Sequence, residues 1–322
     1  MHKIWLDTDP GFDDWLAMLM LSANLEVNWL GVSVVSGNAP LVTTYDNALR
    51  IKQHYQLDVP VYAGCERPLA GAVETAQAIL GESGMATTGE ALPQVDIADL
   101  EARQSRQLQR DPLPHAVDAM IEAIRLHAGE ITLMCIAPLT NVAVALQRAP
   151  EIAGMVKEII LMGGSADQGN HTAAAEFNIY ADPEAADVVF RSGIPLRMFG
   201  LNLCRQLLVT AAEVQQVRAL GTPRAKWLAG YFDAYLRIRS PDGSVPMPMY
   251  DPAVAIWLKR PELFSFQPAR VDIELQGRLT RGMTVCEFRV PRRAPANTEV
   301  AMTVDGPRAM QCMMQELLGS LS

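Results

Sequence analysis

Four aspartates crowd into eight residues near the amino terminus, in the run Asp7-Thr8-Asp9-Pro10-Gly11-Phe12-Asp13-Asp14. Ionised carboxylates this close raise one another's pKa unless a cation offsets the repulsion. No Lys or Arg occurs between Lys3 and Arg50, so a metal ion is the economical answer. An all-oxygen donor set suits a hard cation, Ca²⁺ or Mg²⁺, and the spacing fits neither an EF-hand loop nor a zinc site. Asp13 and Asp14 also stand where negative charge favours the first turn of a helix. Capping accounts for such residues singly, but not for the whole run.

Further polar clusters follow short apolar runs: Ser36-Gly37-Asn38, Ala137-Pro138-Leu139-Thr140-Asn141, Met162-Gly163-Gly164-Ser165, then Asn170 and Glu176-Phe177-Asn178. The elements that must gather them alternate. Strands are expected at Ile4–Leu6, Trp29–Val35, Val59–Ala63, Ile131–Ile136, Glu158–Met162 and Pro195–Gly200. Helices are expected at Asp13–Ala23, Leu41–His54, Ala116–His127, Asn141–Arg148 and Pro183–Arg191. This β-α alternation predicts a single α/β domain over residues 1–322, with a mostly parallel, doubly wound central sheet. Arg270–Leu275 and Met283–Phe288 read as a small antiparallel strand pair around Gly277 near the C-terminus. A strand at Thr298–Val304 and a helix at Arg308–Leu318 follow. Ligands of open α/β sheets bind outside the carboxyl ends of the strands, which is where the polar clusters fall.

Composition narrows the function. Hydrophobic residues are 49 % and charged residues 20 % of the 322, the balance of a chain with a substantial core. A formal charge of −9 argues against a duplex nucleic-acid binder, which needs a basic face. It leaves room for a small substrate that contains a nucleobase. Five widely spaced cysteines with no CxxC pair predict reduced thiols and a cytoplasmic location. The amino terminus reaches acidic residues before a signal-peptide core forms, and no apolar run is long enough to span a bilayer. Two segments break the β-α pattern, the polar Ala72–Asp111 and the Pro- and Gly-rich Arg239–Met249. Both are expected to serve as lids or binding loops.

In order along nearly the whole chain, DTDPGFDD, SGN at Ser36–Asn38, APLTN at Ala137–Asn141, LMGG at Leu161–Gly164, EFN at Glu176–Asn178 and YDP at Tyr250–Pro252 resemble the nucleoside hydrolase family of the inosine/uridine-preferring type. The resemblance implies a tightly held Ca²⁺ and hydrolysis of the N-glycosidic bond of ribonucleosides. It implies metal carboxylates at Asp9, Asp14 and Asp251, completed by the backbone carbonyl of Ile136, and a general base at Asp13. It places Asn38, Met162, Asn170, Glu176 and Asn178 around the ribose, and it implies a homo-oligomer, dimer or tetramer. The chemistry agrees: departure of the base leaves an oxocarbenium-like ribose, a charge that a carboxylate-lined site suits.

The chain departs from that pattern at Tyr250, where many relatives carry His to protonate or hydrogen-bond the leaving base, and at Leu80, where many carry His before Gly81-Glu82-Ser83-Gly84. A phenol of ordinary pKa near 10 is a poorer acid than imidazole, so two expectations compete: Tyr250 donates a hydrogen bond to or stacks on the base, or the enzyme acts poorly on common nucleosides and prefers another ribosyl compound. His171 is expected to be an exposed loop histidine. At least two of Trp227, Tyr231 and Tyr235, spaced i,i+4, are expected to pack into the core. Two rival readings are a DxD-type phosphatase with Asp7 as nucleophile and a catalytically weak nucleoside- or ribose-binding protein. Against the first, Gly11 stands where such phosphatases have Thr or Val.

Overall fold

Alternate side chains along the central strands enter opposite cores. Ile131, Leu133 and Cys135 face one core while Met134 and Ile136 face the other, and Ile159 and Leu161 part from Ile160 and Met162 in the same way. Such strands are apolar on both faces because helices cover both faces of the sheet. In the computed structural model, which describes residues 1–289 and 294–321, β1 (His2–Thr8), β2 (Val27–Val34), β3 (Val61–Ala63), β4 (Ile131–Cys135), β5 (Glu158–Met162) and β6 (Leu196–Phe199) run parallel. A two-stranded pair, β7 (Leu208–Val209) and β8 (Met247–Pro248), stands apart. The main sheet is completed by β9 (Phe264–Ile273), β10 (Thr284–Glu287) and β11 (Thr298–Val304), in the order β10-β9-β11-β6-β5-β4-β1-β2-β3.

The expected C-terminal pair is therefore the antiparallel margin of the main sheet: β9 runs antiparallel to both β10 and β11, and β11 runs parallel to β6. Strand β9 also starts earlier than expected, at Phe264. Pro268 lacks an amide to donate, but β10 pairs only with Arg270–Ile273, so among the described residues no strand pairs with that side of Pro268.

Within the parallel part, the order β3-β2-β1-β4-β5-β6 reverses direction between β1 and β4. At such a switch point the connections leave to opposite faces and open a crevice beyond the strand ends. The end of β1 carries the aspartate run, and the end of β4 carries Ile136.

Helix Phe12–Ala23 follows β1 and is apolar nearly all round, with Trp15, Leu16, Ala17 and Met18 fully buried. A helix of that kind lies inside the protein; this one packs against helices Pro252–Lys259 and Gly306–Leu321. The contact brings two helix N-termini, one carrying Asp13 and Asp14 and the other preceded by Asp251, to the same place. Aligned peptide dipoles there offset part of the carboxylate repulsion. At the other margin, β3 is closed by the side chain of Gln104 from helix Ile97–Leu108. Its Oε1 accepts from Val61 N at 3.0 Å and its Nε2 donates to Val61 O at 2.8 Å.

Candidate active site at the switch point

The crevice holds a cavity of about 300 Å³, at the small end of the range for ligand pockets. Its lining includes Asp9, Asp13, Asn38, Ile136, Met162, Asn170, Glu176, Asn178, Tyr250 and Asp251. These are all of the site residues expected from sequence except Asp14. No Lys or Arg lines it among the described residues.

The floor is acidic and largely buried. Carboxylate oxygens of Asp13, Asp14 and Asp251 lie within 4.8 Å of one another, and Asp9, Asp14 and Asp251 are buried while Asp13 is half-buried. Asp14 lies behind the floor, and its oxygens are engaged from four sides. Oδ1 accepts from Thr8 Oγ1 at 2.5 Å and Asp9 N at 3.3 Å, and Oδ2 accepts from Gly11 N and Asn38 Nδ2, both at 3.0 Å. The bond from Gly11 N is a helix cap, so the capping role and membership of the acidic cluster coexist in one residue.

Asp9 is differently placed. Its Oδ2 accepts from Asn38 N at 2.6 Å, while its buried Oδ1 has no hydrogen-bond partner among the described residues. An orphaned charged acceptor costs free energy unless something outside the protein satisfies it. Close packing keeps the carboxylate in place, since a Cβ at Gly37 would stand 2.0 Å from Asp9 Oδ2.

Burial, reinforced by neighbouring carboxylates, holds Asp9 and Asp251 far above the ordinary carboxylate range and lifts Asp13 to about 7. Burial also raises Asp14, against the pull of its hydrogen bonds. A divalent cation would reverse these shifts. The orphaned Asp9 Oδ1, the convergent oxygens and the all-oxygen chemistry fit a hard cation.

The side wall is braced by its own polar groups. Asn178 Nδ2 donates to Ile136 O at 3.3 Å and Met162 O at 3.2 Å, tying the ends of β4 and β5 together. Glu176 caps helix Phe177–Ala181 and accepts from Gly164 N, Asn178 N and Ile179 N at 2.8–3.2 Å. Burial nonetheless pushes its carboxyl up to about 7. Asn170 Oδ1 accepts from Phe177 N at 3.0 Å. Each of these residues holds the loop together and at the same time faces the cavity.

Towards the opening the lining turns apolar, with Ala76, Ile79 and Leu80 from the Ala72–Asp111 segment, together with Ile238 and Met247. Farther along that segment, Ile97–Leu108 forms a helix whose Gln104 meets β3. Tyr250 is half-buried on the wall, and among the described residues its hydroxyl has no protein partner; burial raises its pKa further. Half-buried Trp227 packs edge-on against His54 at the margin of the core, and buried Tyr231 packs edge-on against Trp15 within it. Tyr235 also packs on Phe12 and donates to Pro248 O at 2.7 Å, but one side of it reaches the cavity. His171 is exposed as expected, yet it too lies on the cavity rim.

Asp7 does not reach the cavity. It is 1 % exposed, accepting from Ser33 Oγ and from Asn141 Nδ2 at 2.8 Å, and burial lifts it to about 7. A nucleophile sealed in this way has no access to a phosphate ester. Sequence reasoning missed Thr75, Ile79, Leu80, Phe177, Ile238 and Met247 as lining residues. Met247 lies in β8, Ile238 caps the end of helix Pro223–Arg237 and the others sit on loops or short helices; only the irregular segments, the family departure at Leu80 and the EFN motif pointed towards any of them.

A profile of the family described as "Inosine-uridine preferring nucleoside hydrolase" matches residues 4–311. The chain is 39 % identical to the pyrimidine-specific ribonucleoside hydrolase RihA of Shewanella sp. (strain ANA-3), over 94 % of this chain and 92 % of that protein. It is 37 % identical to the inosine-uridine preferring nucleoside hydrolase of Crithidia fasciculata, over 94 % of this chain and 93 % of that one. Among solved structures, it superposes on the purine-preferring ribonucleoside hydrolase from Gardnerella vaginalis with a TM-score of 0.86 at 30 % identity, covering 99 % of both chains. A hydrolase fold built around an acidic crevice at the sheet's switch point thus has close kin in sequence and in shape. The chain belongs to the inosine-uridine preferring nucleoside hydrolase family and is an enzyme that hydrolyses the N-glycosidic bond of nucleosides. No helix among the described residues is long and apolar enough to cross a membrane.

Proposed function

We propose that the protein is a Ca²⁺-dependent ribonucleoside hydrolase that releases free nucleobase and ribose. The observation that carries this reading is the convergence of carboxylate oxygens of Asp13, Asp14 and Asp251 within 4.8 Å, with Asp9 and Ile136 lining the same cavity and a buried Asp9 oxygen orphaned among the described residues. Asp9, Asp14, Asp251 and Ile136 O would hold the ion. When bound, Ca²⁺ would supply charge compensation and a binding point for ribose hydroxyls.

In this reading Asp13, half-buried and open to the cavity, takes a proton from the attacking water. Asn38 fixes Asp9 and Asp14 through three hydrogen bonds. Met162, Asn170, Glu176 and Asn178 line the ribose side, where orientation by a rigid wall lowers the barrier. Positive charge that develops on the ribose as the bond breaks meets a wall that, among the described residues, carries no Lys or Arg. Tyr250, with an unengaged hydroxyl, donates to or packs on the departing base.

The five cysteines are all unpaired, which supports a reducing, cytoplasmic setting. The family likeness supports assembly as a dimer or tetramer. The deciding experiment measures reducing sugar released from a panel of purine and pyrimidine nucleosides, with added Ca²⁺ and after chelation. Ribose release that disappears with chelator and returns with Ca²⁺ is expected. Undiminished activity in a chelated, metal-free sample would overturn the calcium requirement, and no release from any nucleoside would overturn the substrate assignment.

A further inference from the structure

The cavity is graded. Its floor is acidic and buried, whereas at the rim Ile79 is 64 % and Ile238 38 % exposed. If a ribonucleoside binds as proposed above, its polar sugar belongs on the floor and its planar base among the rim groups. Most rim side chains are hydrocarbon; Tyr235 is engaged by Pro248 O and the Oδ1 of Asn170 by Phe177 N, and the free Tyr250 hydroxyl stands deeper, at the boundary with the floor.

His171 is the exception. Its ring is held against Tyr180, with centroids 4.5 Å apart, and against Phe177 at 5.5 Å. Neither ring nitrogen has a hydrogen-bond partner among the described residues. The loop that carries it is fixed. The amides of Asn170, His171 and Thr172 all donate to Ala175 O at 3.1–3.2 Å, and Thr172 Oγ1 accepts from Ala174 N and Ala175 N. On the approach to His171, Arg205 donates to Asp167 Oδ1 at 2.6 Å and to Gln168 O at 2.8 Å. Gly169 fits there because a Cβ would stand 2.3 Å from Ala175 O. The result is an imidazole whose position is set by packing and whose hydrogen-bonding capacity is unused.

We propose that His171 is a specificity-determining residue that reads the edge of the nucleobase. This inference rests on the ribonucleoside reading above. A neutral imidazole presents one donor and one acceptor, and the edges of nucleobases present both kinds of group. A site that hydrogen-bonds its substrate discriminates more strongly than an apolar wall does, so the identity of residue 171 should alter relative rates among bases more than it alters handling of the sugar.

The test compares wild type, His171→Ala and His171→Gln on inosine, adenosine, uridine and cytidine, and on 4-nitrophenyl riboside, whose leaving group has no base edge. Inhibition by free ribose reports on the floor. The expected result is a fall in kcat/KM of about ten-fold or more for at least one nucleoside with His171→Ala, unequal across the panel. The riboside and the ribose inhibition constant should stay within about three-fold, and His171→Gln should recover part of the loss. Equal losses on nucleosides and riboside alike would mark a collapsed loop and overturn the inference, as would unchanged nucleoside kinetics in an active enzyme. A wild-type protein that releases no ribose from any nucleoside would overturn the proposed function and this inference with it.

Discussion

The floor and the rim of the cavity are built by different means. The floor's carboxylates stand at the end of β1, in the first turn of helix Phe12–Ala23 and just before helix Pro252–Lys259. Buried neighbours and backbone donors leave them little freedom. The rim comes from the Thr75–Leu80 stretch, from the loop around His171, and from residues of the Tyr235–Met247 region. The contrast separates two tasks: bond-breaking chemistry needs groups fixed on rigid elements, whereas choice among substrates can be carried by loops whose side chains vary without disturbing the scaffold.

Changes on the floor should therefore be felt most. Asp13→Asn is expected to keep the fold, read by circular dichroism, and to lower kcat by roughly 10²–10⁴-fold. Near-normal turnover would remove Asp13 from the role of base and weaken the distinction between floor and rim.

A second, intermediate effect concerns stability. Asp7, Asp13 and Glu176 are each raised to about 7, and Asp9, Asp14 and Asp251 are raised as well. In metal-free protein the folded state thus binds protons that the unfolded chain has released above about pH 4. The destabilisation is fully present above the folded pKa values and is relieved as pH falls through them. Thermal melts of chelated protein should show Tm rising between pH 8 and pH 6. Added Ca²⁺ should raise Tm at pH 8 and flatten the slope, leaving the part owed to Asp7 and Glu176, which lie outside the proposed ligand set. A chelated protein whose Tm climbs with pH over this range would contradict the electrostatic account of the floor.

The smallest effect belongs to the boundary between the two regions. Tyr250→Phe removes one hydroxyl and should cost more than about three-fold in kcat with at least one base. Identical rates across several nucleosides would make Tyr250 a packing residue only.

Much of the floor was legible in the sequence because it lies at the ends of strands with strong signals. Val27–Val34, Ile131–Cys135 and Glu158–Met162 are runs rich in apolar and β-branched residues that end in Gly, Pro or Asn, and their carboxyl ends carried the polar clusters. The acidic run itself was informative through charge alone. Helices Ile97–Leu108, Ala211–Ala219 and Pro252–Lys259 went unread although local cues existed. Asp96 caps the first, Thr210 and Glu213 form a capping box on the second, and Pro252 opens the third. Strands β7 and β8 are two residues each, too short for any periodicity to register. The rim was illegible for a different reason. Ile79 and Met247 meet at one opening because of tertiary packing across a long stretch of chain, and nothing in their local spacing encodes that meeting.

The amide of Gln104 has a consequence beyond the enzyme's chemistry. By presenting both a donor and an acceptor to Val61, it occupies the positions that an incoming extended peptide would use to lengthen the sheet past β3. One side chain thus stands in for a neighbour strand at Val61, and together with Pro60 just before β3 it disfavours self-templated growth of the sheet on this flank.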